Sequence, residues 1–320
     1  MSRSSFSVTR ASALKVAAIP LLFGSGLGIG EAQSQGVIRL GVAPVDTFAE
    51  ANFALDSGFF KAENLNVELT SITSGNAIVA AVAGGALDAG MASPAAIGTA
   101  FAQGIPISIF APGALFSSKA PTTLLMVQAN SPLRTAKDLE GKRVSVDVLS
   151  GLGKASVEQW MLKNGAEPSK VSYVEIPFSA AAASLSAGRI DAAFLAEPAL
   201  SAAQGVRRLA DTYGAIAPRW FISCWFATRD WLTKNADTAR KLERVLLKTG
   251  TWANQHPRES AIILEKVTSL RPEVVTRMQR ATYGDRLDVD MIQPVLDASY
   301  KAKILKSAVV ARDMIAPGYG

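Results

Sequence analysis

The stretch Gly188-Arg-Ile-Asp191-Ala-Ala-Phe-Leu-Ala-Glu197-Pro198 echoes Gly85-Ala-Leu-Asp88-Ala-Gly-Met-Ala-Ser93-Pro94. In each copy an Ala-rich helical run, Ala77–Ala83 or Ala180–Ala187, ends at a glycine suited to a positive φ just past a helix. A polar turn holding an Asp follows. A run of small and apolar residues then reads as a buried strand, and a proline stops it. Upstream of each copy lies another strand-like run, Val67–Ile72 and Val171–Ile176. The unit is β–α–β, present once in each half. It predicts two similar α/β lobes facing each other across a cleft.

Working outward, Val37–Val42 is the first strand, and Phe48–Phe60 has apolar residues at helical spacing. Gly104–Phe110 is a buried strand. Thr122–Gln128 reads as the first crossing between lobes and Trp220–Thr228 as the strand that crosses back. Helices are expected over 236–255, 258–267, 272–283 and 288–303, with no strand in this block. The expected organisation is a signal peptide over 1–32, lobe 1 over 33–124 and 226–320 with a C-terminal helical cover, and lobe 2 over 125–225.

The signal peptide is expected because Arg3, Arg10 and Lys15 precede an apolar run, Val16–Gly30, with small residues at a cleavage site after Ala32. Removing it takes the formal charge from +6 to +4. Both signs are interspersed, so no nucleic-acid-binding stripe is expected. Cys224 and His256 are single, which leaves His/Cys metal sites and His-based triads without parts and excludes an internal disulfide. No cofactor is expected. Ser150-Gly-Leu-Gly-Lys154 fails the P-loop pattern, because Val148 and Ala155 stand where a Gly and a Ser/Thr are required.

Ligands of open parallel sheets collect at the carboxyl ends of strands, beside helix N-termini. This selects the loops 44–48, 73–75, 91–94, 150–153 and 195–198. The candidate ligand-binding residues are Asp46, Thr47, Phe48, Ser74, Gly75, Ser93, Phe116, Ser150, Gly151, Glu197 and Trp225. Asp46 and Glu197 are acceptors for a ligand N–H, or else a helix N-cap and a partner of a hinge arginine or amide. Trp225 stacks on a ring or packs the hinge. Asp88 and Asp191 are turn residues on the side away from the ligand.

With these residues in order, the chain resembles the periplasmic solute-binding proteins of ABC importers, in the family that handles nitrate, sulfonates, taurine and thiamine-pyrimidine precursors. Gly58-Phe59-Phe60 with Glu63-Asn-Leu65, Gly85–Asp88, Ala92–Ala95, Asp138–Lys142, Gly188–Asp191 and Glu197-Pro198 carry the likeness. It implies a two-lobed type II periplasmic-binding-protein fold with two crossing strands. It also implies a monomer that captures a small molecule without catalysis and delivers it to an inner-membrane permease. A sulfonate or aromatic carboxylate is expected from the helix N-termini at Ser74 and Gly151 and the positive charge. A heterocycle held by Asp46, Glu197 and Trp225 is the rival ligand. A biosynthetic enzyme and a sensor module are the rival functions. The enzymes of this family use a Cys-rich segment that this sequence lacks.

Overall fold

The computed structural model describes residues 36–149, 151–268 and 270–320. The expected signal peptide and Ser150 lie outside these residues.

Strands β1 (Ile38–Val42), β2 (Val67–Ser71), β3 (Ala89–Ala92) and β4 (Ile107–Pro112) alternate with helices. β5 (Ala114–Ser117) leaves this sheet. β6 (Thr123–Gln128), β7 (Arg143–Val146), β8 (Ser172–Glu175), β9 (Ala192–Ala196) and β10 (Val206–Ala210) make a second one. β11 (Arg219–Phe221) and β12 (Cys224–Thr228) return the chain, and β13 (Thr282–Tyr283) comes late. The sheet orders are β2-β1-β3-β12-β4, β10-β6-β9-β7-β8 and β11-β5-β13. The two larger sheets share one plan. In each, β–α–β units pair in parallel, and an antiparallel strand follows the third parallel member, β12 beside β3 and β6 beside β9. This is the two-lobed α/β fold.

The repeated sequence units do the same structural work in both sheets. Gly85 and Gly188 adopt φ of 76° and 67°, which only glycine takes without strain. Each Asp then clamps the arginine that opens the neighbouring parallel strand. Asp88 accepts from the backbone N–H and guanidinium of Arg39, and Asp191 does so from Arg143. These ends of the strands are opposite to the carboxyl ends where ligands gather.

Two expectations about strands are corrected. Thr122–Gln128 does not cross between lobes: β6 sits inside the second sheet, between β9 and β10. Trp220–Thr228 is not one strand, because Ile222 and Ser223 divide it into β11 and β12. The antiparallel pair β5–β11 forms a small sheet of its own between the two larger ones in chain order. β13 joins it from within the block expected to be helical. The helix expected over 272–283 stops at Arg277, because Asp46 and Asn254 take the backbone N–H groups of Ala281 and Tyr283.

The first sheet carries the larger core, in which Leu40, Ile78, Met91, Phe110, Trp225, Phe226 and the inner face of the helix Ala236–Gln255 are buried together. The second sheet buries a separate set, including Leu125, Val144, Val146, Val157, Met161 and Phe194. Each sheet thus buries its own apolar residues, the second sheet also through Met126, Ala193 and Leu195, as two lobes require.

Candidate functional site

The strands of both sheets end on one cavity of about 400 Å³. The loop after β1 contributes Ala43 to Phe48, and the loop after β2 contributes Thr73 and Gly75. From the second sheet come Asp147 after β7, Phe178 after β8, and Ala196 and Glu197 at the end of β9. Thr122 and Thr123 reach the same place because β6 runs antiparallel and Thr123 lies opposite Ala196. Tyr213, Ile222, Gln279 and Ala281 complete the wall. The size fits a small organic molecule.

Asp46 does not cap a helix. Its carboxylate is gripped by Arg280, with Nε and Nη2 each at 2.9 Å, and accepts the Ala281 N–H at 2.7 Å. Tyr283 Oη donates to the Asp46 carbonyl. The chain therefore turns after β1 on a buried ion pair with a residue far along the sequence.

Glu197 has neither a hinge arginine nor a free carboxylate. It accepts from the Ser201 N–H at 3.0 Å, from Ser201 Oγ at 2.8 Å and from the Gln279 N–H at 3.1 Å. Burial pushes its pKa up, and those donors offset only part of the rise. Because Gln279 neighbours Arg280, the loop 279–281 is held by a carboxylate from each sheet.

Asp147 differs. It has no cationic partner: backbone N–H groups of Asp147 itself and Val148 reach its carboxylate, while its Oδ1 is buried with no hydrogen-bond partner. Burial raises its pKa. The Oγ1 atoms of Thr122 and Thr123 are also buried and unpartnered. Three carboxylates line the cavity, and no Lys or Arg does among the described residues. An anion held about 5 Å from an unpaired carboxylate meets roughly 3 kcal/mol of repulsion at an effective dielectric constant of about 20.

Of the expected site residues, Asp46, Thr47, Phe48, Gly75 and Glu197 line the cavity. Ser74, Ser93, Phe116, Gly151 and Trp225 do not. Ser74 and Gly151 precede their helices without a capping side chain, and Ser93 caps the helix Pro94–Ala102 through the Ala96 N–H. Phe116 is fully buried against Tyr213 and Trp220. Trp225 is fully buried, and its indole N–H donates to the Glu50 carboxylate inside the first lobe. Its stacking role is thereby corrected. A Trp in mid-strand between two neighbours points into the layer, not out of the strand end. Ser150 lies outside the described residues.

Asp147, Thr122, Thr123, Phe178 and Tyr213 were not anticipated. Asp147 was discoverable as the first polar residue after the run Arg143–Val146. The threonines were not, because their place at the strand ends follows from the antiparallel pairing of β6 with β9.

Among the described residues no group of His, Cys, Asp and Glu could hold a metal ion. No described helix is long and apolar enough to cross a membrane.

The family described as NMT1/THI5 like matches residues 47–260. The taurine-binding periplasmic protein of Escherichia coli (strain K12) is 29% identical over 150 residues, 46% of this chain and 44% of that protein. The chain thus matches less than half the length of that relative. The crystal structure of the periplasmic aliphatic sulphonate binding protein SsuA from Escherichia coli superposes with a TM-score of 0.74 at 18% identity, covering 87% of this chain and 91% of that one. The desulfurization enzyme DSZB superposes with a TM-score of 0.66 at 16% identity, covering 88% and 96%. These two likenesses establish the fold.

Proposed function

Since this chain belongs to the NMT1/THI5-like family, we propose that it is an exported solute-binding protein of an ABC importer. It captures a small organic molecule in the cavity between its two sheets and delivers it, as a monomer, to an inner-membrane permease. One observation carries the reading. The strand ends of both sheets, with Asp46 and Glu197 among them, converge on a single cavity whose walls are carboxylate, hydroxyl, backbone and aromatic groups. Such walls bind and orient. Movement of the lobes about β5 and β11 would enclose the ligand.

Capture is favoured over catalysis by the state of the two residues most able to react. Cys224 is fully buried, and burial pushes its thiol pKa up. His256 stacks on Trp252 in the helical block, with ring centroids 5.3 Å apart, and does not line the cavity.

The test has two parts. Mass spectrometry of the exported chain should find Gln33 at the N-terminus; an intact Met1 start outside the cytoplasm would sink the export claim. A thermal-shift screen with sulfonates, aromatic carboxylates, amines and heterocycles should find stabilisation of about 2.7 kcal/mol at about 100 times Kd. A purified permease should then bind the liganded chain more tightly than the empty one. Equal affinity for both would refute the delivery role.

A further inference from the structure

We propose that Glu197 is a positioning residue, a latch that holds the two lobes together around the cavity by taking the backbone N–H of Gln279 from the opposite lobe. The inference takes its meaning from the solute-binding reading above and goes beyond it in naming the contact that sets lobe closure.

The two partners belong to different lobes. Glu197 follows β9 in the second sheet, and the nearby Leu195 is buried with Met126, Ala181, Leu185 and Ala193. Gln279 stands between Met278 and Ala281, which are buried with Ala49 and Phe53, just past the loop after β1. The Gln279 N–H reaches Glu197 Oε1 at 3.1 Å. Among the described residues, no other hydrogen bond or ion pair joins 123–210 to 38–112 or 224–320.

Both sides of the contact are set in place. Glu197 is oriented by Ser201 in the helix Ala199–Ala202, whose N–H reaches Oε2 at 3.0 Å and whose Oγ reaches Oε1 at 2.8 Å. A carboxylate oxygen has two lone pairs, so Oε1 keeps one for Gln279. On the other side, the two residues after Gln279 are fixed to Asp46, Arg280 through its guanidinium and Ala281 through its N–H. A carboxylate that accepts from a donor held this way makes a charge-assisted bond, about twice as strong as a neutral one.

The latch lies at the cavity itself, because Asp46, Glu197 and Gln279 all line its wall. Apolar packing also links the lobes, where Leu152 meets the cluster of Phe116, Trp220 and Val295. Such packing is non-directional. The directional bond at Glu197 is what selects one lobe angle.

Lobe separation can be read without a ligand. Cys224 is buried and is the only cysteine, so Asn76→Cys and Ser179→Cys take spin labels selectively. Both positions are exposed, and they follow the cavity residues Gly75 and Phe178 of opposite lobes. Double electron–electron resonance on the full labelled chain should give one short separation. Glu197→Ala should shift the closed-to-open ratio by about tenfold towards a longer one. Gln279→Pro removes the donor and leaves Glu197 and Ser201 in place; Met278, at φ −68° and ψ 148°, already has the backbone a residue before proline adopts. It should open the lobes as far as Glu197→Ala does, and the double variant should open them no further. Glu197→Ala decides by itself if the proline variant does not fold. An unchanged distance in Glu197→Ala, opening by Glu197→Ala without opening by a folded Gln279→Pro, or additive opening in the double variant overturns the latch. Any of these leaves the solute-binding reading standing, whereas a chain that opens as expected but binds no small molecule in the screen above keeps the latch and loses that reading.

Discussion

The Asp46 carboxylate and the Arg280 guanidinium, 234 residues apart, meet through two contacts of 2.9 Å. Their side chains are only 5% and 16% exposed. The pair ties the first loop of the β-sheet to the helical block and turns a cleft acid into a structural one. It also fixes the neighbouring Gln279, whose N–H reaches Glu197 from the other sheet. Removing one partner of a buried pair leaves an uncompensated charge. Asp46→Ala should therefore cost about 3–5 kcal/mol in urea unfolding, and the double variant Asp46→Asn/Arg280→Met should recover much of that. The freed guanidinium should also raise affinity for anions. A single variant as stable as the parent would show that the pair contributes nothing.

Asp88 and Asp191 occupy matching places in the repeat, yet they should not be equal. The Arg39–Asp88 side chains are 43% and 15% exposed, against 46% and 33% for Arg143–Asp191. Asp88→Ala should destabilise by about 1–3 kcal/mol and Asp191→Ala by under about 1 kcal/mol. In each, burial favours the neutral acid, but hydrogen bonds from the arginine hold the pKa below the ordinary value of 3.8. Both contributions are present above that value and are lost as pH falls through the depressed one. Comparing the acid unfolding midpoints of the two variants checks the order.

Glu50 should make stability fall with rising pH. It is fully buried, and burial lifts its pKa to about 8 even though Trp225 donates to it. Its Oε1 has no partner. Between the ordinary value of 4.5 and about 8 the folded chain holds a proton that the unfolded chain releases. Stability is therefore fully present below 4.5 and drops by up to about 1.4 kcal/mol per pH unit across this window. Glu50→Gln should flatten that dependence and be more stable than the parent at pH 8. Parallel pH profiles for the two proteins would rule out the buried proton.

Gly90 should tolerate no side chain. A Cβ there would lie 2.3 Å from Ile78 Cγ2, where the helix Gly75–Ala83 presses on β3. Overpacking of this kind costs about 1–3 kcal/mol, or several degrees in melting temperature. Gly36→Ala, which meets nothing within 4 Å, should leave the melting temperature unchanged. Equal melting temperatures for the two variants would contradict the tight approach.

The local chemistry of the repeat was legible in the sequence. Glycine after an Ala-rich helix, Asp at the turn and an apolar strand ended by proline are choices that neighbouring residues make for one another, so they specify two βαβ units locally. The same logic placed the loops after β1 and β2 and the end of β9 at the cleft, because carboxyl ends of parallel strands must lie together. It did not reach β6, whose antiparallel direction depends on its pairing with β9 and β10 across long sequence gaps. It also did not reach Trp225, since a Trp in a buried strand and a Trp in a hinge look alike until the neighbours are known.

Sequence by itself determined that this chain builds two α/β halves, because periodicity, turn chemistry and the repeated Asp are short-range properties. Only the tertiary structure decided which acids are available to a ligand. Asp46 is neutralised by an arginine 234 residues away, Glu197 is satisfied by Ser201 and by the backbone of Gln279, and Asp147 has only its own and the Val148 backbone N–H, with no cation. Whether a carboxylate is free depends on which donors the fold brings within about 3 Å of it, and no local pattern carries that information.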